Sequence, residues 1–414
     1  MRVRRGVAAL SILPALLLVG CDGGTAPMPG RAAAPPGPTP VGSGPPPPVA
    51  PSPPVPPAPV QPAQIATNPP DGATKVRPDT KVTVTASSGR LLRVWLRAAD
   101  GRAIAGQLGA AGTSWRAAAR LSPDTAYVLS ATAESADGAT ASSRASFRTL
   151  APRGPLVISD VTPDRGETVG VGMPLVVEFA SPVTRKADVE RALEVTVSKP
   201  VTDGSWYWMS DTEAHYRPKK YWPAHSTVTL RADLRGVNAG DGTWGTANQA
   251  FSFQVARRMV SKIDTDEHRM RVYVDGDLVR TVPITAGKEP AYTTRSGIKV
   301  VLFKDQYRRM TGTSIGIPKD DPEYYDLDVY WTVAVTESGE FLHAAPWSLS
   351  SQGIANVSHG CVGMSTENGK WFYDHSIRGD IVQTVGTDKK MELRNGYGDW
   401  NLSWSQWLAG SALH

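Results

Sequence analysis

The residues best placed to do chemistry lie in Ser358-His359-Gly360-Cys361-Val362-Gly363-Met364-Ser365. The chain has two cysteines, Cys21 and Cys361. Cys21 directly follows an apolar leader, which leaves Cys361 without a disulfide partner. In an exported chain a lone thiol is either buried and inert or kept for its reactivity. Its neighbours favour reactivity. Gly360 permits the tight backbone geometry that exposes N–H groups. His359 stands two residues away, and His343 sits in Phe341-Leu342-His343-Ala344-Ala345-Pro346-Trp347, a strand-like run broken at Pro346. Ser365 or Thr366 reads as the N-cap of a helix through Trp371-Phe372-Tyr373. The positive end of that helix is expected to favour thiolate at Cys361. A cysteine with a histidine base is the minimum for thiol acyl transfer. His343, His359 and Cys361 could instead ligate zinc, but His-x-Cys is tighter than usual zinc spacing and a fourth ligand is not evident, so no metal is expected.

The rest of the chain must export, tether and position this stretch. Arg2, Arg4 and Arg5 precede the apolar run Val7 to Val19, and Leu18-Val19-Gly20-Cys21 follows. This is the pattern of a signal peptide over residues 1–20. It resembles a bacterial lipobox, which implies cleavage before Cys21, lipidation of its sulfur and anchoring to the outer face of the cell membrane. Residues 21–64 read as a tether. Between Pro27 and Pro62 there are 17 prolines in 36 residues, Arg31 is the only charge, and there are no aromatics. Such a segment cannot bury a core and is expected to be extended or disordered. The formal charge of +5 and pI near 9.1 suit an anionic wall only weakly. No basic cluster with interleaved aromatics points to nucleic acid. No internal apolar run approaches the roughly 20 residues of a membrane span.

Residues 65–150 alternate β-branched and polar positions, as in Lys81-Val82-Thr83-Val84-Thr85 and Tyr127-Val128-Leu129-Ser130-Ala131-Thr132. Asp71-Gly72, Asp100-Gly101 and Asp137-Gly138 supply turns. The pattern predicts an immunoglobulin-like antiparallel sandwich. Residues 151–258 echo it: Pro163-Asp164 through Leu175-Val176-Val177 matches Pro70-Asp71 through Lys81-Val82-Thr83. A second immunoglobulin-like module, arising by duplication, is expected, with a short helical patch from Ala187 to Leu193. Trp206, Tyr207, Trp208, Tyr221 and Trp222 are read as core or interface packing in preference to a wall-binding face. His215, His225, His268 and His375 sit among polar or turn residues and are read as surface histidines. From residue 259 the strand signals resume, with Asp275-Gly276 as a hairpin turn between Val272-Tyr273-Val274 and Asp277-Leu278-Val279.

The block Ser358 to Ser365, with Phe341 to Ser348 upstream, resembles the L,D-transpeptidase (YkuD) catalytic domain. The likeness is nearest to the multidomain lipoprotein enzymes of mycobacteria, whose spacer domains the two modules resemble. The implied fold is mainly β: two immunoglobulin-like sandwiches, a β-rich catalytic domain over residues 259–385, and a short helical extension over 386–414 packed on it. Trp404 and Trp407, at i,i+3, are expected to face inward. Thr294-Arg295-Ser296-Gly297 and Arg309-Met310-Thr311-Gly312 resemble turns and pocket edges of the family, so Met310 is expected at the substrate. Tyr325, six residues before Trp331, matches the lid tyrosine. Trp347 is expected to wall the pocket, and Ser358 and Gly363 to touch substrate.

The resemblance implies that Cys361 attacks a peptidoglycan tetrapeptide stem at its third residue, with His343 as base, releasing D-alanine and forming 3→3 crosslinks without a cofactor. It implies that the Ala344 carbonyl orients His343, and that His359, Gly360 and Cys361 donate N–H groups to the oxyanion. Carbapenems are the implied covalent inhibitors. Gly363 departs from the asparagine or arginine usual in relatives, so a polar substrate contact is missing or supplied elsewhere. A sortase would place an arginine soon after its cysteine, and the nearest here, Arg378, is seventeen residues on. An NlpC/P60 hydrolase would place cysteine before histidine. The competing reading is a wall-binding lipoprotein with a weak or decayed site.

Overall fold

The computed structural model describes residues 61–414 except residue 202, together with Gly37 and Gly44. The expected signal peptide, Cys21 and most of the proline-rich tether lie outside the described residues. Among the described residues no helix is long and apolar enough to cross a membrane.

Two four-stranded sheets form the first sandwich. One has the order Gln64–Asn68, Thr83–Ser87, Ser114–Ala117, Gly106–Leu108; the other runs Ala103–Ile104, Arg90–Ala98, Ala126–Glu134, Thr140–Arg148. In Ala126–Glu134 every second residue points inward, burying Tyr127, Leu129, Ala131 and Ala133. That is the two-residue period of a half-buried strand. Gly138, at φ +84°, turns the chain into the next strand. The core closes on residues of this module alone, among them Val84, Leu96, Leu121, Leu129 and Phe147.

The second sandwich sets Ile158–Thr162, Leu175–Phe179, Glu213–Pro218 and Gly204–Trp208 against Thr168–Val169, Gln249–Val255, Ser226–Ala232 and Leu193–Val197. Its helix is Lys186–Glu190, and Leu193 already begins a strand. Trp206, Trp208 and Trp222 are buried. Tyr207 stacks on Trp407 at 4.9 Å and Tyr221 meets Trp400 edge-on at 4.7 Å. The aromatic cluster is therefore packing. Its core reaches beyond the module to Val260, Val300, Ile381 and Trp400.

His215 departs from its expected surface position. It is 5% exposed, with Nδ1 2.7 Å from Asp399 Oδ1 and Nε2 2.7 Å from Glu213 Oε1. Burial acts to lower its pKa, but the two carboxylates prevail and raise it to about 9. A polar sequence neighbourhood gave no sign of this because Asp399 comes from the far end of the chain.

Residues 259–385 again form two sheets. A five-stranded sheet runs Asp277–Pro283, Arg269–Val274, Met259–Asp264, Ile381–Val385, Gly297–Val300. A four-stranded sheet runs Phe303–Thr311, Asp326–Ala334, Phe341–Ala344, Val362–Met364. Asp275 and Gly276, at φ +52° and +110°, make the hairpin between the first two strands. Ile263, Met270, Val282, Val333, Leu342 and Val382 lie in the common core. Phe341–Ala344 is buried at every position, since the helix Thr366–His375 packs close to it. A Cβ added to Gly369 of that helix would lie 2.8 Å from the Ala344 nitrogen, so glycine sets the close approach of helix and strand.

The C-terminal extension docks on both neighbours. Asn401 exchanges two 2.7 Å bonds with the Ile298 backbone. Trp400 Nε1 donates to the Gly172 carbonyl at 2.7 Å and Trp407 Nε1 to the Ser205 carbonyl at 2.9 Å. Ser403 caps the helix Trp404–Leu408, in which Trp407 is fully buried and Trp404 half-buried.

Candidate active site

The strand Val362–Met364 runs parallel to Phe341–Ala344, with Leu342 opposite Val362 and His343 opposite Gly363. Cys361 lies one residue before this strand, two before Gly363, and so projects to the side that Gly363 and His343 share. Cys361 and His343 line one cavity of about 230 Å³ with Met310, Tyr325, Trp347 and Ser358. Ala344 and Gly360 are not among its lining residues.

His343 is 6% exposed, and its Nδ1 lies 2.8 Å from the Ala344 carbonyl oxygen. A carbonyl only accepts, so Nδ1 carries the hydrogen and Nε2 is left as the proton acceptor. Burial holds the imidazole pKa below its ordinary value, against the pull of that carbonyl. Trp347, half exposed, stacks on the ring at 5.9 Å.

The Cys361 residue is partly exposed, and its thiol donates to the Gly339 carbonyl at 3.6 Å. Burial pushes the thiol up to about 11; the Phe341 N–H and the Lys299 ammonium act to lower it, and Glu340 to raise it. At neutral pH the cavity is therefore lined by a thiol at Cys361 and a neutral imidazole at His343. The expected thiolate does not arise from the helix, whose first residue is Thr366 and whose N-cap, Ser365, accepts from the Asn368 N–H at 3.2 Å. The strand Val362–Met364 intervenes, and helix-end electrostatics fade within a turn.

The oxyanion donors also need correction. Gly360 N–H bonds Ser358 Oγ at 3.1 Å and its carbonyl accepts from Thr294 Oγ1 at 2.8 Å. Gly360, at φ +123°, is thus the pivot of the turn and has no free N–H for an oxyanion. Among the described residues no hydrogen bond is made by the N–H of His359 or of Cys361. Ser358, which lines the cavity, also donates to the Cys361 carbonyl at 2.6 Å and so braces the same turn. The His359 ring lies between Tyr292, at 4.5 Å, and Tyr325, at 4.9 Å, with Nε2 3.0 Å from Glu323 Oε2. Burial, helped by Cys361 nearby, pushes the Tyr325 phenol up to about 12, which keeps it a hydrogen-bond donor.

Gly363 lines the cavity but offers substrate no polar group. Its N–H and carbonyl both pair with Thr285 at 2.9 Å. A Cβ there would sit 2.9 Å from Ala345 Cβ and 3.0 Å from Thr285 Cγ2, so a larger residue would have to displace its neighbours. Sequence reasoning missed Thr285, Thr294, Glu340 and Lys299. Thr294 belongs to a turn that was noticed, though its bond to Gly360 spans 66 positions. The others carry no local signal.

Two family models match the chain: a bacterial Ig domain over residues 73–238 and an L,D-transpeptidase catalytic domain over residues 258–384. The first is a single match that runs across both sandwiches. L,D-transpeptidase 2 of Mycobacterium tuberculosis (strain CDC 1551 / Oshkosh) is 36% identical over 83% of this chain and 83% of its own. L,D-transpeptidase 5 of Mycobacterium tuberculosis (strain ATCC 25618 / H37Rv) is 34% identical over 84% of this chain and 77% of its own. A solved L,D-transpeptidase in complex with imipenem is 32% identical, with a TM-score of 0.49 over 56% of this chain and 99% of that one. With relatives of this identity and coverage, the chain belongs to the L,D-transpeptidase family of peptidoglycan-crosslinking acyltransferases.

Proposed function

We propose that the chain forms 3→3 peptidoglycan crosslinks through a thioacyl intermediate on Cys361, while held by a lipid on Cys21 at the outer face of the cell membrane. One observation carries the reading: Cys361 and His343 share a cavity in which the Ala344 carbonyl leaves His343 Nε2 as the base. His343 takes the thiol proton as the sulfur attacks the carbonyl of the third stem residue. The tetrahedral oxyanion is met by the N–H groups of His359 and Cys361, each such donor being worth about 2.7–4 kcal/mol in a preorganised site. The imidazolium returns its proton to the amine of the departing D-alanine, which leaves a thioester. The side-chain amine of a second stem attacks that thioester, and the thiol leaves with its proton restored. A carbapenem would acylate the same sulfur when its strained amide opens. The proline-rich tether and two sandwiches would carry the site away from the membrane into the wall.

The test is product analysis by mass spectrometry with a purified disaccharide-tetrapeptide. The native enzyme is expected to release D-alanine and give crosslinked dimer, Cys361→Ala to give none, and His343→Gln to fall by about 10²–10⁴-fold. Dimer formed by Cys361→Ala would overturn the assignment. A carbapenem adduct located on Cys361 in the intact protein is expected alongside. Its absence would favour a decayed site that only binds the wall.

A further inference from the structure

Behind the cleft lies a charged cluster that the transfer chemistry does not use. Lys299, 1% exposed, sits in the strand Gly297–Val300, and its Nζ lies 2.6 Å from Glu340 Oε2. Glu340, 5% exposed, precedes the strand Phe341–Ala344. Its Oε1 accepts from the Arg295 backbone N–H at 3.0 Å and from Arg295 Nη1 at 2.9 Å. Arg295 Nε is in turn 2.6 Å from Glu392 Oε2. The Glu340 N–H is itself bonded to Thr336 Oγ1 at 2.8 Å. A well-packed apolar core would serve stability at least as well as this buried pair, so its position calls for another reason.

That position is directly beside the sulfur. Gly339, next to Glu340, provides the carbonyl that accepts from the Cys361 thiol. Phe341, on its other side, provides an N–H that favours the thiolate. Glu340 thus fixes the backbone on both sides of itself, and both sides touch the sulfur. The charged and titratable groups around the thiol are Glu340, just before the strand Phe341–Ala344, Lys299 from the strand Gly297–Val300, Tyr325, just before the strand Asp326–Ala334, and His343 and His359 in the cavity wall. Of these, Lys299 acts to ionise the thiol and Glu340 acts against it.

We propose that Lys299 and Glu340 are positioning residues for Cys361: Glu340, clamped by Lys299 and Arg295, holds Gly339 and Phe341 against the sulfur, and the two opposed charges set how readily the thiol gives up its proton. The pair belongs to the cleft whatever acyl donor enters it.

The experiment is the pH profile of Cys361 alkylation by iodoacetamide in the otherwise intact chain, read by mass spectrometry. Glu340→Gln keeps one acceptor, the amide oxygen, for Arg295 or Lys299 and removes the negative charge. Its alkylation midpoint is expected to fall by about half a unit or more, and that of Lys299→Met to rise by about the same. The double variant, with a neutral pair, is expected to return towards the native midpoint. Opposite shifts are the decisive outcome, because a merely structural loosening would move both single variants the same way. Shifts in one direction, or none, overturn the proposal. If Lys299→Met alone does not fold, Glu340→Gln and the double variant still decide it: a fall that the second substitution reverses supports the proposal, and any other pattern overturns it. Alkylation does not depend on crosslinking, so loss of the proposed reaction and loss of this arrangement are read separately.

Discussion

The first sandwich buries Leu96, Leu129 and Phe147 between its own two sheets, and its core contains no residue from outside it. The second buries Val177, Leu230 and Trp222 in the same manner, yet shares its core with Val260, Val300 and Ile381 of the catalytic domain and Trp400 of the extension. Gly170 and Gly172 of this module bond the backbone of Arg378 and Gly379 at 2.7 and 2.8 Å. A Cβ on Gly170 would lie 2.3 Å from the Asp380 nitrogen. Two modules of similar architecture thus differ in their packing: the first closes a core of its own, and the second shares its core with the catalytic domain. The sharpest way to break this distinction is to cut the chain. A fragment of residues 259–414 is expected to remain unfolded by circular dichroism, because Val260, Ile381 and Trp400 lose their cover. A fragment that folds cooperatively and is alkylated at Cys361 as the full chain is would show that the shared core is incidental.

A smaller effect comes from the extension. Trp407 is fully buried, bonds Ser205, and lies 4.4 Å from the Arg217 guanidinium, which is itself 3% exposed. Trp407→Ala is expected to cost about 3–5 kcal/mol, seen in denaturant unfolding of a chain lacking residues 1–150. Leu129→Ala in the full chain is expected to destabilise the first sandwich alone, leaving the transition of residues 151–414 in place. If Leu129→Ala shifts both transitions equally, the two modules are coupled and the comparison fails.

The joint between the second module and the extension should also depend on pH. The folded pKa of His215 is raised from 6.5 to about 9. Its contribution is therefore complete below about pH 6.5 and is lost as the pH rises through about 9. The loss is at most about 3 kcal/mol. The protection of residues 399–412 against hydrogen exchange, relative to the intrinsic rate at each pH, should fall over that window in the native protein. His215→Gln should show no such window; an unchanged pH dependence in that variant would place its origin elsewhere.

Features set by near neighbours were legible in the sequence. The alternation in Ala126–Glu134 and the Asp275-Gly276 turn follow from a few adjacent side chains, and the cysteine and histidine of the cleft stood out by their scarcity and setting. Features set by distant partners were not legible. His215 looked like a surface residue because Asp399, which buries it, is 184 positions away. Lys299 and Glu340 meet across 41 positions, and neither position differs in type from an ordinary solvent-facing charge. Gly363 looked like a missing contact, but Thr285 takes both its backbone groups and leaves a side chain no room. The thiolate expectation failed for a different reason. It treated nearness in sequence to a helix as nearness to its positive end, while the intervening strand carries Cys361 away from it.

The smallest expected effect tests the other side of the comparison. Between the first and second sandwiches the described contacts are few: Arg77 lies 5.5 Å over the buried ring of Trp244, and Gly236 packs against the Leu121 carbonyl. A cation–π contact of an exposed arginine contributes about 0.5–1 kcal/mol, far below what the shared core of the second module supplies. A chain of residues 151–414 is therefore expected to unfold within about 1 kcal/mol of the corresponding transition in the full chain. It should also give the same alkylation profile at Cys361. Loss of activity on intact sacculi but not on a soluble disaccharide-tetrapeptide would mark the first sandwich as a matter of reach. Loss on both substrates would mean that it supports the cleft through contacts stronger than Arg77 over Trp244, and its role as a spacer would have to be abandoned.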